Sequence, residues 1–270
     1  MSAPVMEPVA ITSADDPRVA DYIGLRDPQH RQRLEGNEFF IAEGINVIER
    51  LIASSYTMRS VLVTNQRYVR MEPMLSKLAC PVYVADREVL AQVAGFDLHR
   101  GAVASADRGA PPSLADVLQR SRTIAVLEGL NDPENLGAIA RSARALGVDA
   151  LLLDPTCADP FYRRTVRVSM GEILFLPVVR SVHWSADLQR VADAGFRLIA
   201  LTPSPTAQSI HDVTRSPDDR VALLLGAEGP GLSQRAMALS ERVRIPLRTD
   251  ADSLNVGHAA AVAFALLAAP

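Results

Sequence analysis

The chain has 270 residues, 48% hydrophobic and 22% charged, a composition that excludes a mostly disordered, collagen-like or disulfide-scaffold protein and leaves room for two ordinary domains. A formal net charge of −3 removes long-range basic attraction for nucleic acid and leaves only local patches. Lys77 is the single lysine among 28 basic residues, so the positive charge is almost wholly guanidinium, suited to bidentate phosphate or carboxylate contacts and equally the product of a compositional bias.

In chain order, the acidic start MSAPVMEPVAITSADD lacks the basic-then-apolar order of a signal peptide. FFIAEG, INVIERLIASS, RSVLVTN, the stretch to Lys77, CPVYVAD, REVLAQVAG and GAVASAD then alternate strand and helix patterns up to Ala106. DRGAPP, from Asp107 to Pro112, reads as a linker. From Ile124 the alternation resumes: TIAVLEG, NLGAIARSARALG, VDALLLD, a helical stretch from Pro160, LFLPVV, ADLQRVADAG, FRLIALT, RVALLLGAEG, LSQRAMALS, VRIPL and SLNVGHAAAVAFALLA. Runs such as ALLL and VALLL are apolar on both faces, as buried parallel strands are. An α/β chain is expected, with a smaller domain over 1–108 and a parallel-sheet domain over 109–270.

The longest apolar run, Ala259 to Ala269, is shorter than the ~20 residues that span a bilayer. Cys80 and Cys157 have neither CxxC spacing nor nearby histidines, which argues against a metal site and for a reducing compartment. The expectation is a soluble, cytoplasmic protein with neither membrane nor metal among its partners.

Three segments of the second half carry chemistry-bearing residues. In LNDPENLGAIARSARALG, Asp132 suits a helix N-cap, Pro133 the first helical position and Gly147 the C-terminal cap. Leu136, Ile139, Ala140, Ala143 and Leu146 share one face. Arg141 follows Asn135 by six residues, about 240° net around a helix at ~100° per residue, so the two share no face. Arg141 taken alone also reads as a solvated surface arginine. LLLGAEGPGLS is a buried-strand run broken by Gly226, Gly229 and Gly231, whose spacing is neither the dinucleotide GxGxxG nor a P-loop. Glu228 within it is a carboxylate able to accept hydrogen bonds from amides, hydroxyls or a guanidinium, and a tight structural turn is the alternative. In IPLRTDADSLNVGH, Ser253 suits the N-cap of an Ala-rich helix, whose start faces the end of a parallel sheet, where open α/β folds bind ligands.

Together, NLGAIAR, LLLGAEGPGLS and IPL followed by SLNV resemble, in order and separation, the three motifs of the SpoU/TrmH family of RNA ribose 2′-O-methyltransferases in the SPOUT superfamily. FFIAEGINVIERLI resembles, more weakly, the small substrate-binding domain that often precedes that catalytic domain. Two-domain 23S rRNA methyltransferases, including thiostrepton- and avilamycin-resistance enzymes, look most similar. The resemblance implies an α/β homodimer with a deep trefoil knot near the C-terminus, an exception to the rule that chains do not thread loops. It implies S-adenosyl-L-methionine held by Leu201, Thr202, Gly226, Ala227, Glu228, Gly229, Ile245, Leu247 and Leu254. It implies Arg141 as the catalytic arginine, with Asn135, Glu228, Ser253 and Asn255 as its polar surround, and structured RNA as substrate, rRNA ahead of tRNA.

In the family the arginine is often proposed as general base. A guanidinium with pKa above ~12 is a poor base at neutral pH, and a clamp on phosphate that stabilises a developing alkoxide is the alternative favoured here. Where many relatives carry a small or aliphatic pair after SLNV, this chain has Gly257-His258. His258 fits a core, a dimer-interface or a site position. Arg31, Arg33, Arg67, Arg70 and Arg100 are candidate RNA contacts of the first domain. Two further readings are a non-catalytic RNA-binding or ribosome-assembly protein that keeps the fold and a small-molecule methyltransferase. Salt dependence of RNA binding separates the RNA readings from the last.

Overall fold

Apolar runs become the strands they predict in the computed structural model, which describes residues 7–36, 38–98, 101–216, 218–248 and 253–268. Arg100, the first six residues and the polar segment 249–252 lie outside the described residues. The chain divides into two units, residues 1–110 with 161–174, and residues 111–160 with 175–270.

The first unit contains β1 (Val9–Ile11), α1 (Pro28–Glu35), β2 (Phe39–Glu43), α2 (Ile45–Ala53), β3 (Met58–Thr64), α3 (Asn65–Leu75), β4 (Val82–Ala85), α4 (Arg87–Ala94) and β5 (Ala102–Asp107). Its sheet runs β1-β4-β3-β5-β2, with β1, β4 and β3 parallel and β5 antiparallel to both its neighbours. Strand β1 and helix α1 were not legible in the sequence, being three residues long and weakly apolar respectively.

The second unit holds α5 (Leu114–Arg120), β6 (Thr123–Glu128), α6 (Pro133–Ala145) and β7 (Ala150–Leu153). After α7 (Arg163–Val168), which packs with the first unit, come β8 (Val178–Arg180), α8 (Trp184–Asp193), β9 (Phe196–Leu201), β10 (Gln208–Ser209), β11 (Arg220–Gly226), α9 (Gln234–Ala238), β12 (Glu241–Arg244) and α10 (Val256–Leu267). Among the described residues seven strands form one sheet, ordered β10-β12-β9-β11-β6-β7-β8, and every pairing is parallel. Because strand side chains alternate, Val126, Leu198, Ala222 and Leu224 face α5, α8 and α9, while α10 packs against β11 and α6. Covering both faces explains the unbroken apolar runs.

Three local expectations are corrected. The strand expected in LFLPVV is only Val178–Arg180, because Glu172–Phe175 forms a 3-10 turn. Strand β12 ends at Arg244, so Ile245 lies just beyond it. Residues 161–174, expected in the second domain, pack with the first: the Phe161 ring lies 5.2 Å from Phe40 and 5.6 Å from Tyr56, and Arg163 and Arg167 pair with the buried carboxylate of Glu43.

Candidate active site

Parallel strands end on one edge of their sheet, and polar groups beyond those ends converge there. Strands β12, β9, β11 and β6 are neighbours, ending at Arg244, Leu201, Gly226 and Glu128. Leu201 and Thr202, Gly226 to Gly229, and Ile245 to Leu247 therefore come to the same edge. The Thr202 N–H donates to the Val243 carbonyl at 2.9 Å, which ties the ends of β9 and β12 together.

The loop after β11 is closed on itself. The Gly231 N–H donates to the Ala227 carbonyl at 3.0 Å. A Cβ on Gly226 would lie 2.3 Å from the Gly231 carbonyl carbon, far inside contact distance, so this close approach requires glycine. Gly229 and Gly231 adopt φ of 93° and 69°, with open space where a Cβ would stand.

Two helix starts meet this loop. Asp132 caps α6 by accepting the Glu134 N–H at 2.8 Å, and Pro133 occupies the first turn, as its fixed φ favours. The helix closes with Gly147 at φ 84° and the Val148 N–H donating to the Ala143 carbonyl. Asn255 caps α10, its Oδ1 accepting the Gly257 N–H at 2.9 Å. Ser253, expected as this cap, lies two residues before it, because the helix begins at Val256 and puts Asn255 in the cap position. A Cβ on Gly257 would stand 3.3 Å from that of Ala138, so small residues bring α10 onto α6.

That approach assembles a polar trio from the three motifs. The Asn255 side-chain amide donates to Asn135 Oδ1 and Glu228 Oε1, each at 2.9 Å, and Asn135 Nδ2 donates to Glu228 Oε1 at 3.3 Å. Glu228 and Asn255 are exposed and Asn135 is half-buried. Leu254, beside the trio, is 40% exposed.

Other expected residues stand apart within the chain. Arg141 is exposed on α6, away from Asn135 by the helix rotation, and makes no hydrogen bond or ion pair with another described residue. Ser253 is exposed and outside the trio's hydrogen bonds. His258 is exposed on α10, which corrects the core placement the sequence allowed. Arg31 is not an RNA contact: it is 2% exposed, pairs with Glu35 at 2.7 Å and donates to the Asp21 and Ile23 carbonyls. Arg33 and Arg70 are exposed and Arg67 is half-buried.

Glu128 and Trp184 were missed. Glu128 Oε1 accepts the Trp184 indole N–H at 2.9 Å and Oε2 accepts the Ser233 N–H at 3.0 Å. The available signal was a carboxylate at the end of the apolar run TIAVLE, where buried parallel strands open onto a site.

Residues 122–265 match the SpoU rRNA Methylase family. An uncharacterized tRNA/rRNA methyltransferase of Mycobacterium tuberculosis is 44% identical over 257 residues, covering 94% of this chain and 89% of its own. The 23S rRNA (guanosine(2553)-2′-O)-methyltransferase RlmP of Bacillus subtilis is 24% identical, over 93% of this chain and 96% of its own. The solved structure of an AdoMet-bound rRNA methyltransferase from Sinorhizobium meliloti superposes with a TM-score of 0.78 at 25% identity, covering 95% of this chain and 96% of that one.

Proposed function

Because the chain belongs to the SpoU rRNA methylase family, we propose that it transfers a methyl group from S-adenosyl-L-methionine to a ribose 2′-OH of structured RNA, with 23S rRNA as the preferred substrate. The observation that carries this reading is the trio: Asn135, Glu228 and Asn255, one from each motif, hydrogen-bonded at the edge where four parallel strands end. The 2′-O specificity and the rRNA target are supported by RlmP, and the cofactor by the AdoMet-bound relative.

The residues present fit that cofactor. Strand ends offer backbone donors and acceptors, half-buried Leu201, Ile245 and Leu247 offer apolar cover with the 40%-exposed Leu254, and the glycine loop leaves space at Gly229 and Gly231. Leu201, Thr202, Gly226, Ala227, Glu228, Gly229, Ile245, Leu247 and Leu254 would hold it. The bound group supplies a methyl activated by a sulfonium.

The chain's own residues orient the acceptor. Glu228 fixes the Asn135 and Asn255 amides, Asn135 aligns the hydroxyl, and Ser253, two residues before Asn255 in sequence, adds a hydroxyl donor. Arg141 clamps an RNA phosphate and stabilises the alkoxide that develops as the 2′-OH gives its proton to water. A pseudoenzyme would have no need of this set.

Arg141 lies about 240° around α6 from Asn135, so a phosphate of the RNA or a second copy of the chain must bring guanidinium and trio to one substrate. The homodimer reading is supported by His258, Val262 and Leu266, exposed at successive turns of α10, with Val262 37% and Leu266 46% exposed. The knot reading is supported by the placement of the last elements: β12 lies outside β9, while α10, the helix that follows it in sequence, packs on α6 and β11. Residues 1–108, with 161–174 packed on them, serve as the RNA-binding domain in this reading, and the rest of 109–270 as the methyltransferase domain.

The test is label transfer from methyl-tritiated cofactor to deproteinised 23S rRNA and to bulk tRNA in parallel. Label in 23S rRNA alone is expected. Label in tRNA alone replaces the substrate class, and cofactor binding without label in either RNA favours the non-catalytic protein.

A further inference from the structure

Glu128 ends β6 in register with Gly226 at the end of β11. Its two carboxylate oxygens reach in different directions, Oε1 to the indole N–H of Trp184 at 2.9 Å and Oε2 to the backbone N–H of Ser233 at 3.0 Å. Trp184 opens α8 and packs on the same core as Leu232, and Ser233 caps α9, its hydroxyl accepting the Ala236 N–H at 3.2 Å. A carboxylate accepting two N–H donors makes charge-assisted bonds about twice as strong as neutral ones. The glycine loop between β11 and α9 is thus fastened twice: at its tip, where Glu228 meets Asn135 and Asn255, and at its far end, where Ser233 meets Glu128.

We propose that Glu128 is a positioning residue for the glycine loop: it sets the backbone from Gly226 to Gly229 for the cofactor and aims Glu228 at the two asparagines, with the Trp184 indole as its second anchor. This rests on the reading of the loop as part of the cofactor site. Trp184 is also the single tryptophan of the chain, so its emission reports on this anchor without labelling.

The experiment measures S-adenosylmethionine affinity by calorimetry, melting temperature, tryptophan emission and methyl transfer for the wild type, Glu128→Ala, Glu128→Gln, Trp184→Phe and the double variant Glu128→Ala/Glu228→Ala. Glu128→Ala should weaken cofactor binding at least tenfold and red-shift the Trp184 emission as the indole loses its partner. Glu128→Gln keeps one acceptor oxygen and turns an amide donor toward the other N–H, so it should fall between alanine and wild type. Trp184→Phe should weaken binding severalfold. In the double variant the loss of transfer should be smaller than the product of the two single losses, since both act on one loop.

Cofactor affinity within twofold of wild type in Glu128→Ala, with only the melting temperature lowered, overturns the proposal, as do multiplicative losses in the cycle. Should Glu128→Ala fail to fold, unchanged affinity in both Glu128→Gln and Trp184→Phe overturns it. A wild type that binds no S-adenosylmethionine overturns the cofactor reading itself and this role with it.

Discussion

A Cβ on Gly226 would stand 2.3 Å from the carbonyl carbon of Gly231, so the strand that ends at Gly226 and the loop that returns at Gly231 touch backbone to backbone. No side chain yields at that contact. Gly226→Ala therefore forces the loop open, at ~1–3 kcal/mol for overpacking a closed site. Calorimetry should show S-adenosylmethionine binding weakened at least tenfold, whereas normal binding in a folded variant would contradict the cofactor loop.

Asn255 has two separable duties, capping α10 through Oδ1 and donating to Glu228 and Asn135 through Nδ2. Asn255→Asp keeps the cap and sets a second carboxylate against Glu228, while Asn255→Ala removes both, with cap loss costing ~1 kcal/mol. Methyl transfer should fall at least a hundredfold in both, with the melting temperature lowered clearly only in the alanine variant. Transfer that survives in Asn255→Asp would remove the trio from the chemistry.

Arg141 is exposed and touches no described residue through a hydrogen bond or ion pair, so nothing in the fold leans on it. Arg141→Ala should keep wild-type stability and cofactor affinity and lose transfer to RNA by a thousandfold or more. Arg141→Lys keeps the charge without the planar fork and should recover only part of the rate. Loss of cofactor binding in Arg141→Ala would contradict the clamp.

Arg31 behaves in the opposite way, because its guanidinium is buried against Glu35. Removing one member of a buried pair costs ~3–5 kcal/mol. Arg31→Ala should lower the urea midpoint of the first unit sharply, and a folded variant defective only in RNA binding would contradict the structural role.

Burial pushes the Cys157 thiol up to about 12, with the Asp154 carboxyl adding to the effect, and burial also raises Cys80. The thiolate is the reactive form, so both thiols stay protonated at pH 8. A disulfide-exchange dye at that pH should titrate neither cysteine in the native protein and both after denaturation. Fast reaction of either in the native state would contradict its placement.

The sheet was legible because strands covered on both faces must be apolar throughout, which is how ALLL and VALLL read. Asn135, Glu228 and Asn255 were legible only as members of motifs, since nothing in local spacing says that residues 93 and 27 apart in pairs share one oxygen. Around α10 the helix begins at Val256, later than the sequence suggested, so Asn255 and not Ser253 takes the cap, and His258 falls on the uncovered side. The move of 161–174 to the first unit depends on an aromatic cluster and a buried carboxylate, Glu43, that lie more than a hundred residues away in sequence. Glu128 escaped notice because its two partners come from separate helix starts.

The most direct test of the account is the chemical identity of the methylated product. Ribosomal RNA methylated by the purified chain would be digested to nucleosides and resolved by mass spectrometry, beside the Arg141→Ala product. The account predicts a single ribose-methylated nucleoside, resistant to alkaline cleavage on its 3′ side and absent with Arg141→Ala. A methyl group on a base, or equal labelling with the alanine variant, would contradict it.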